Sequence, residues 1–283
     1  AFLFSCILRK YIIYETHSPE KGLRMKLQRL LVFSINVHTV VISSALKAII
    51  MKKYEISSKR ISVLHDAAKT GTTKLNRKNR TNKQNELLSS VVGLSSFDKV
   101  IGYFGHLYSG RGIEIIEELA RNHCKYIFLV YGGNEKEISY YRNRVQSENL
   151  IFMGHVSPLN AQSLMIHMDI LLMPYQESVS IGIGDIDTSK WMSPMKMFEY
   201  MSCGVPIISS DLPVLREVLK HEYNSLLVTP NDINEWSIAL ERVANSLELE
   251  EILGHNAYKD YQEKYTWEIR ARAFLKLHIY HQQ

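Results

Sequence analysis

The chain has 283 residues, 46% of them hydrophobic and 22% charged, with a net charge of +5. At roughly 100–200 residues per domain this length suggests two domains, and the composition excludes wholesale disorder. The mild positive charge suits anionic ligands or an anionic membrane surface, and Cys6, Cys124 and Cys203 form neither a metal pair nor an even disulfide set, which points to a reducing compartment.

The first residues lack the ordered basic, apolar and cleavage regions of a signal peptide. Residues 9–14 are the first predicted strand, carried by Tyr11, Ile12, Ile13 and Tyr14. Over residues 21–36 the periodicity predicts a helix with Leu23, Leu27, Leu30, Leu31 and Ile35 on one stripe. Residues 28–50 are apolar, but Asn36, His38, Thr39, Ser43 and Ser44 interrupt them, so a helix followed by a buried strand fits better than a membrane span. A β-branched strand follows at 39–42. Ser43 and Ser44 then offer N-caps for a helix reaching Lys53, and residues 61–64 form the next strand. Strand, helix, strand, helix, strand is the order of a parallel sheet. Residues 69–85 are polar and basic without acids, as in a solvated linker; they lack the interleaved aromatics of a nucleic-acid arm.

Regular alternation returns at Lys99. Strands are predicted at 100–104, 126–131, 151–153, 170–174, 205–209 and 225–228. Helices are predicted at 112–122, 135–148, 158–167, 194–203, 212–219, 231–247 and 248–264, with Gly204 stopping the fourth. This series makes one doubly wound domain from 99 to about 265. A last helix begins at Trp267, with Ile269, Ala273 and Leu277 on one stripe.

Doubly wound sheets bind ligands beyond the carboxyl ends of their strands, so the loops after strands carry the candidates. The loop 102–112 holds Gly105, Gly110 and Gly112, which let backbone approach a phosphate, and Arg111, which offers charge-assisted bonds. Its spacing is not the dinucleotide fingerprint, and a glycine-rich turn with a surface Arg is the plainer alternative. The loop 174–194 carries Gly182, Gly184, Asp185 and Asp187, then Ser193 and Pro194 at a helix start. Lys196 and Glu199 stand at i and i+3, nearly on one face. The cation suits phosphate and the carboxylate suits sugar hydroxyls; a surface ion pair explains the same spacing. Gly132 and Gly133 allow nucleotide approach or make an ordinary turn. Glu15 and His17 follow the first strand, where a lone His is more often structural. Asp185 and Asp187 lack a third metal ligand, and Asp169 reads as a turn or cap residue.

Together these residues resemble glycosyltransferase family 4, of the GT-B fold. The stretch 193–211, Ser-Pro-Met-Lys-Met-Phe-Glu-Tyr-Met-Ser-Cys-Gly-Val-Pro-Ile-Ile-Ser-Ser-Asp, is similar to the family's signature helix and following strand. Leu215, Glu217 and Val218, then residues 224–230, resemble its next segment. Residues 105–112 resemble its phosphate loop, 149–154 its nucleotide-side strand and turn, and 169–174 its short Asp-to-Pro strand. Earlier, Tyr14, Glu15 and His17 resemble the end of an N-domain strand, and His65, Asp66, Ala67 and Ala68 the exit from that domain.

The resemblance implies an α/β chain of Rossmann-like doubly wound parallel sheets. It assigns 1–68 to a partial, acceptor-side N-terminal domain lacking its beginning, and 69–98 to a basic polar linker. Residues 99–266 become a complete C-terminal nucleotide-sugar-binding domain, and 267–283 a helix returning to the N-terminal domain. The implied reaction is retaining transfer of a sugar from a nucleotide diphosphate sugar to an acceptor hydroxyl, in bacterial-type polysaccharide or glycolipid synthesis. His17, Arg111 and Lys196 take catalytic roles. Gly105, His106, Arg111, Gly133, Ser193, Pro194, Met195, Lys196 and Glu199 bind the donor. Glu199 matches the second glutamate of the family's Glu-(seven residues)-Glu motif, which holds ribose. Trp191 stands at the first, in a Ser-Pro-x-Lys-x-x-Glu variant that resembles a known subgroup. Arg111 matches a phosphate-binding Lys. His106 stands where Arg is common, which makes its phosphate contact weaker or pH-dependent, and His17 resembles the N-domain His near the reacting centre. No metal or other cofactor is expected. The expected partners are the donor, a sugar or lipid-linked acceptor and a membrane surface, not nucleic acid. The expected location is the cytoplasm, at the inner membrane face. Two rivals stay open: a nucleotide-sugar-binding fragment without catalysis, and a GT-B sugar-nucleotide epimerase, which needs acids the sequence does not place.

Overall fold

Two parallel sheets, each wound by its own helices, carry the chain. They are seen in a computed structural model that describes residues 11–69, 86, 97–144, 147–182 and 186–280. Cys6, Gly184, Asp185, the start of the first predicted strand, most of the basic linker and residues 281–283 lie outside the described residues.

The smaller sheet has the order β1-β2-β3, with β1 Ile12–Thr16, β2 Val37–Val41 and β3 Ile61–Val63. The helix α1, Gly22–Phe33, crosses from β1 to β2, and α2, Ser44–Tyr54, from β2 towards β3. All five residues of β2 are buried, as expected of a central parallel strand covered on both faces. Ser43 caps α2 as expected, its hydroxyl accepting from Leu46 N at 3.0 Å.

The stripe expected to bury α1 does the opposite. Leu23, Leu27, Leu30 and Ile35 are exposed, while Gln28 and Val32 face the body. Gln28 is held as a satisfied polar anchor. Its amide nitrogen donates to Thr16 Oγ1 at 2.8 Å and Ser18 O at 3.0 Å, and its oxygen accepts from Tyr54 Oη at 2.8 Å and Glu20 N at 3.0 Å. Periodicity marks a face without saying which way it points.

The larger sheet has the order β6-β5-β4-β7-β8-β9: β4 Lys99–Phe104, β5 Tyr126–Tyr131, β6 Leu150–Gly154, β7 Ile170–Met173, β8 Ile207–Ser210 and β9 Leu226–Val228. Between them run α3 Ile113–Asn122, α4 Glu135–Arg144, α5 Pro158–Met165 and α6 Met195–Cys203; α7 Ile233–Ala244 and α8 Leu247–Lys264 follow β9. The strand order reverses between β4 and β7, which pair through Ile101 with Ile170 and Gly102 with Leu171. That reversal opens a crevice at the carboxyl ends of both strands. The helix expected at 212–219 is reduced to a 3-10 turn, Leu215–Glu217. Pro213 stands at its entry, and the Glu217 side chain turns away to the smaller sheet.

A polar seam joins the two sheets. Ser43 Oγ donates to Trp191 O at 2.8 Å, and Asp66 N to Ser193 Oγ at 3.1 Å. Glu217 accepts from Ser44 N at 2.6 Å and Ala45 N at 2.9 Å. The last helix, α9 Trp267–Tyr280, sends Arg270 back to His65 O at 2.8 Å and Leu64 O at 3.3 Å. Among the described residues no helix is long and apolar enough to cross a membrane.

Candidate active site

The crevice is floored by the loop after β4. Gly112 caps α3 with φ +79°, in the left-handed region, and a side chain there would strike Pro174 O. Gly105 has φ +153°, which a side chain would strain, and a methyl group at that position would also lie 2.5 Å from Lys196 Nζ.

Lys196 comes from α6. Pro194 is the N-cap rather than the first helical residue, and the helix ends at Gly204 in the left-handed conformation. Tyr200 anchors α6 to β4, its hydroxyl accepting from Phe104 N at 2.8 Å. One turn earlier, Lys196 runs into the protein. Its Nζ lies 3.8 Å from the centre of the Tyr103 ring and 5.3 Å from that of Tyr175, and it makes no hydrogen bond. Burial, reinforced by the Arg111 charge, holds its ammonium pKa well below the usual lysine range. Arg111 joins it: Nη1 donates to Tyr175 Oη at 3.0 Å, while Nε is buried without a partner. Glu199 is half-buried beside them, and burial pushes its carboxyl up although Lys196 pulls it down.

The remaining donor-site candidates fall unevenly around this cradle. Gly133 lies against Leu107, and the neighbouring Gly132 against Gly105 O, so the loops after β4 and β5 touch. His106 is exposed and stacks on Tyr108, with ring centres 4.7 Å apart; desolvation, then Arg111 and Lys196, lower its pKa. Ser193 is buried in the seam with Asp66. Met195 is half exposed. Asp187 orders its own loop by accepting from Val179 N and Ser189 N, both at 2.9 Å, and Asp169 accepts from Val100 N at 2.8 Å. Trp191, at the position of the first family glutamate, packs on the core of the smaller sheet.

A second cluster stands across the seam. His17 Nε2 is 2.9 Å from Glu15 Oε1, which also accepts from Arg270 Nη2 at 2.6 Å. The hydrogen bond from His17, helped by Arg270, draws the Glu15 carboxyl down to about 2. The same bond raises the His17 pKa, and burial raises that of Asp66. Ligand atoms of Glu15, His17 and Asp66 lie within 4.8 Å of one another, close enough to share a cation. Arg270 already neutralises Glu15, so the arrangement is balanced without one. Asp66 links this cluster to the start of α6 through Ser193.

Tyr103 and Tyr175 complete the cradle, Arg270 the second cluster and Glu217 the seam, and sequence reasoning assigned none of them this part. Tyr175, next to Pro174 at the end of a strand, carried the best available signal. Arg270 carried none, because its partner Glu15 is 255 residues away.

Residues 98–246, just over half of the chain, match the family model of glycosyl transferases group 1. The chain belongs to that family. An uncharacterized glycosyltransferase of Methanocaldococcus jannaschii is 26% identical over 186 residues, covering 62% of this chain and 44% of that protein. Alpha-galactosylglucosyldiacylglycerol synthase of Streptococcus pneumoniae is 25% identical over 192 residues, 64% of this chain and 47% of that one. The chain thus spans about half the length of the curated relatives it matches. The Anabaena protein HepE in complex with UDP superposes with a TM-score of 0.74 at 17% identity, covering 97% of this chain and 74% of its own. The fold is GT-B, with Rossmann-like parallel sheets.

Proposed function

We propose that the protein transfers a sugar, with retention at the anomeric carbon, from a nucleoside diphosphate sugar to an acceptor hydroxyl, and that it belongs to family 4 in the Ser-Pro-x-Lys-x-x-Glu subgroup. The observation that carries this reading is Lys196. A buried ammonium without a hydrogen bond is costly, and the Nε of Arg111 beside it is equally unpartnered. An anion entering the crevice would satisfy both. In transfer, negative charge develops on the departing diphosphate, and cations fixed in a dry site stabilise that charge without reorganising. Arg111 and Lys196 would take the phosphates between the glycines of the 105–112 loop and the start of α6. Glu199 would accept from the ribose hydroxyls. No metal is needed in this scheme.

On this reading the smaller sheet with α9 is the acceptor side, residues 99–266 are the donor side, and His17 meets the reacting centre. Retention would follow a front-face path, with the leaving phosphate assisting the acceptor. The Streptococcus relative is named for a glycolipid product, and a Staphylococcus aureus relative for capsular polysaccharide biosynthesis. These names support a sugar or lipid-linked acceptor, and the reading places the protein at the cytoplasmic face of a membrane. Calorimetry with UDP, GDP and ADP in the presence of chelator tests the donor site. Binding of at least one is expected, and no heat from any of them at millimolar concentration overturns the reading.

A further inference from the structure

We infer that a nucleoside diphosphate enters the crevice together with a proton, which Lys196 takes from water. The inference rests on the donor site proposed above and concerns the charge of that site when it is empty. Lys196 Nζ is buried, bonds to nothing and packs against Gly105, where a methyl group would lie 2.5 Å away. The side chains around it are committed elsewhere or carry the wrong sign. On β4, Tyr103 offers only its ring face, with its centre 3.8 Å from Nζ, because its hydroxyl donates to His106 O at 2.7 Å. After β7, the Tyr175 hydroxyl is turned to Arg111 and accepts from its Nη1 at 3.0 Å. Burial raises both phenols, so neither ionises to supply a counter-charge. The 105–112 loop contributes Arg111, a permanent cation, and His106, whose pKa is lowered. On α6, Glu199 favours the ammonium, but no ion pair joins the two, and burial pushes its own carboxyl up.

A desolvated amine beside a fixed cation sheds its proton readily. Burial and the Arg111 charge hold the Lys196 ammonium well below the usual lysine range. The empty crevice therefore contains the ammonium at low pH and the amine above that lowered pKa. A diphosphate reverses the balance. Its oxygens bring negative charge and hydrogen-bond acceptors to Nζ, and both favour the charged form. One proton passes from water to the nitrogen lone pair, an N–H bond forms, and the ammonium donates to the phosphate. The site gains its second cation only when an anion is there to pair with it, and gives the proton back when the diphosphate leaves.

Calorimetry of UDP binding in Tris and in HEPES, buffers of different ionisation enthalpy, is the test; GDP or ADP replaces UDP where it binds more tightly. At about pH 8 the terminal phosphate has lost its second proton, whose pKa is about 6, and His106 is neutral. The two heats should differ by the uptake of at least roughly half a proton per nucleotide, and affinity should fall by at least about threefold from pH 8 to pH 9. In K196R the guanidinium is charged at every pH used, so the two heats should agree and the affinity should stay level. K196M has nothing to protonate, and its weaker binding should be equally level. H106Q should keep the wild-type difference. Equal heats for the wild-type protein overturn the inference and leave the donor reading standing. So does a difference that persists in K196R or K196M, or one that H106Q abolishes. No heat from UDP, GDP or ADP in either buffer overturns both.

Discussion

Lys196 is a buried basic side chain and Arg111 beside it is half-buried with a buried, unpartnered Nε, and neither forms an ion pair among the described residues, whereas His17, Glu15 and Arg270 satisfy one another across the seam. Asp66, in the His17 cluster, donates its N–H to Ser193 just before α6, the helix that carries Lys196, and so connects the two groups. The proposed donor cradle keeps its electrostatic demand open, as a site for a charged ligand must. The His17 cluster closes its own, so its chemistry is to hold a ring in one orientation and protonation state. Removing a charge should therefore help the first region fold and harm the second.

Lys196→Met gives the largest expected effect and the sharpest break. Loss of a buried charge partner should weaken nucleoside diphosphate binding by about 2–5 kcal/mol. The unliganded protein should be unchanged or more stable, because a desolvated, unpaired ammonium is replaced by an apolar chain of similar length. Titration calorimetry and thermal unfolding of the same preparation check both signs. Weaker binding combined with a marked loss of unliganded stability would show that Lys196 is structural.

That opposition was half legible in the sequence. Lys196 and Glu199 announce a shared face by their i and i+3 spacing, and Gly105 announces a close approach. Their strands were equally plain: 126–131 is an unbroken run of β-formers because β5 is covered on both faces. What stayed hidden depended on distance or direction. The Tyr103 ring beside Lys196 comes from β4 and the Tyr175 ring from the loop after β7, and Arg270 reaches Glu15 from the far end of the chain. The α1 stripe was visible, but Gln28, a polar residue, is what buries that helix. The segment 212–219 was expected to be a helix, yet Glu217 is recruited to cap another helix.

Glu199→Gln sharpens the donor side. Its carboxylate is assigned to ribose, so the change should weaken nucleoside diphosphate binding by about 1.5–3 kcal/mol and leave inorganic pyrophosphate nearly unaffected. Competition calorimetry with both ligands decides; equal losses would move Glu199 to the phosphates. Smaller again is Glu217→Ala. Two N–H groups at the start of α2 would exchange a carboxylate for water, at about 1–2 kcal/mol of stability. Urea denaturation should register that loss while UDP affinity stays unchanged, because Glu217 belongs to the seam and not to the cradle.

The smallest effect concerns Glu15→Gln, and its signature is a pH profile. A carboxyl drawn down to about 2 from 4.5 contributes stability that is present above 4.5 and lost as pH falls towards 2. His17 works in the opposite sense. Its raised pKa contributes stability that is complete below its ordinary 6.5 and is lost as pH climbs through the raised value. Both charges are in place between these limits, so wild type should exceed the glutamine variant most between 4.5 and 6.5. Both side chains are substantially exposed to water, and screening reduces the maximum to about 1 kcal/mol. On the acid side the difference should fade as Glu15 protonates. On the alkaline side it should decline only in part, because Arg270 keeps its charge and its 2.6 Å contact with Glu15. Urea denaturation of both proteins from about pH 3 to pH 9 traces this curve. A difference that fades in acid but stays level from about pH 6 to pH 9 would mean that His17 and Glu15 do not form a charged pair, and the contrast with the open donor cradle would then rest on Arg270 alone.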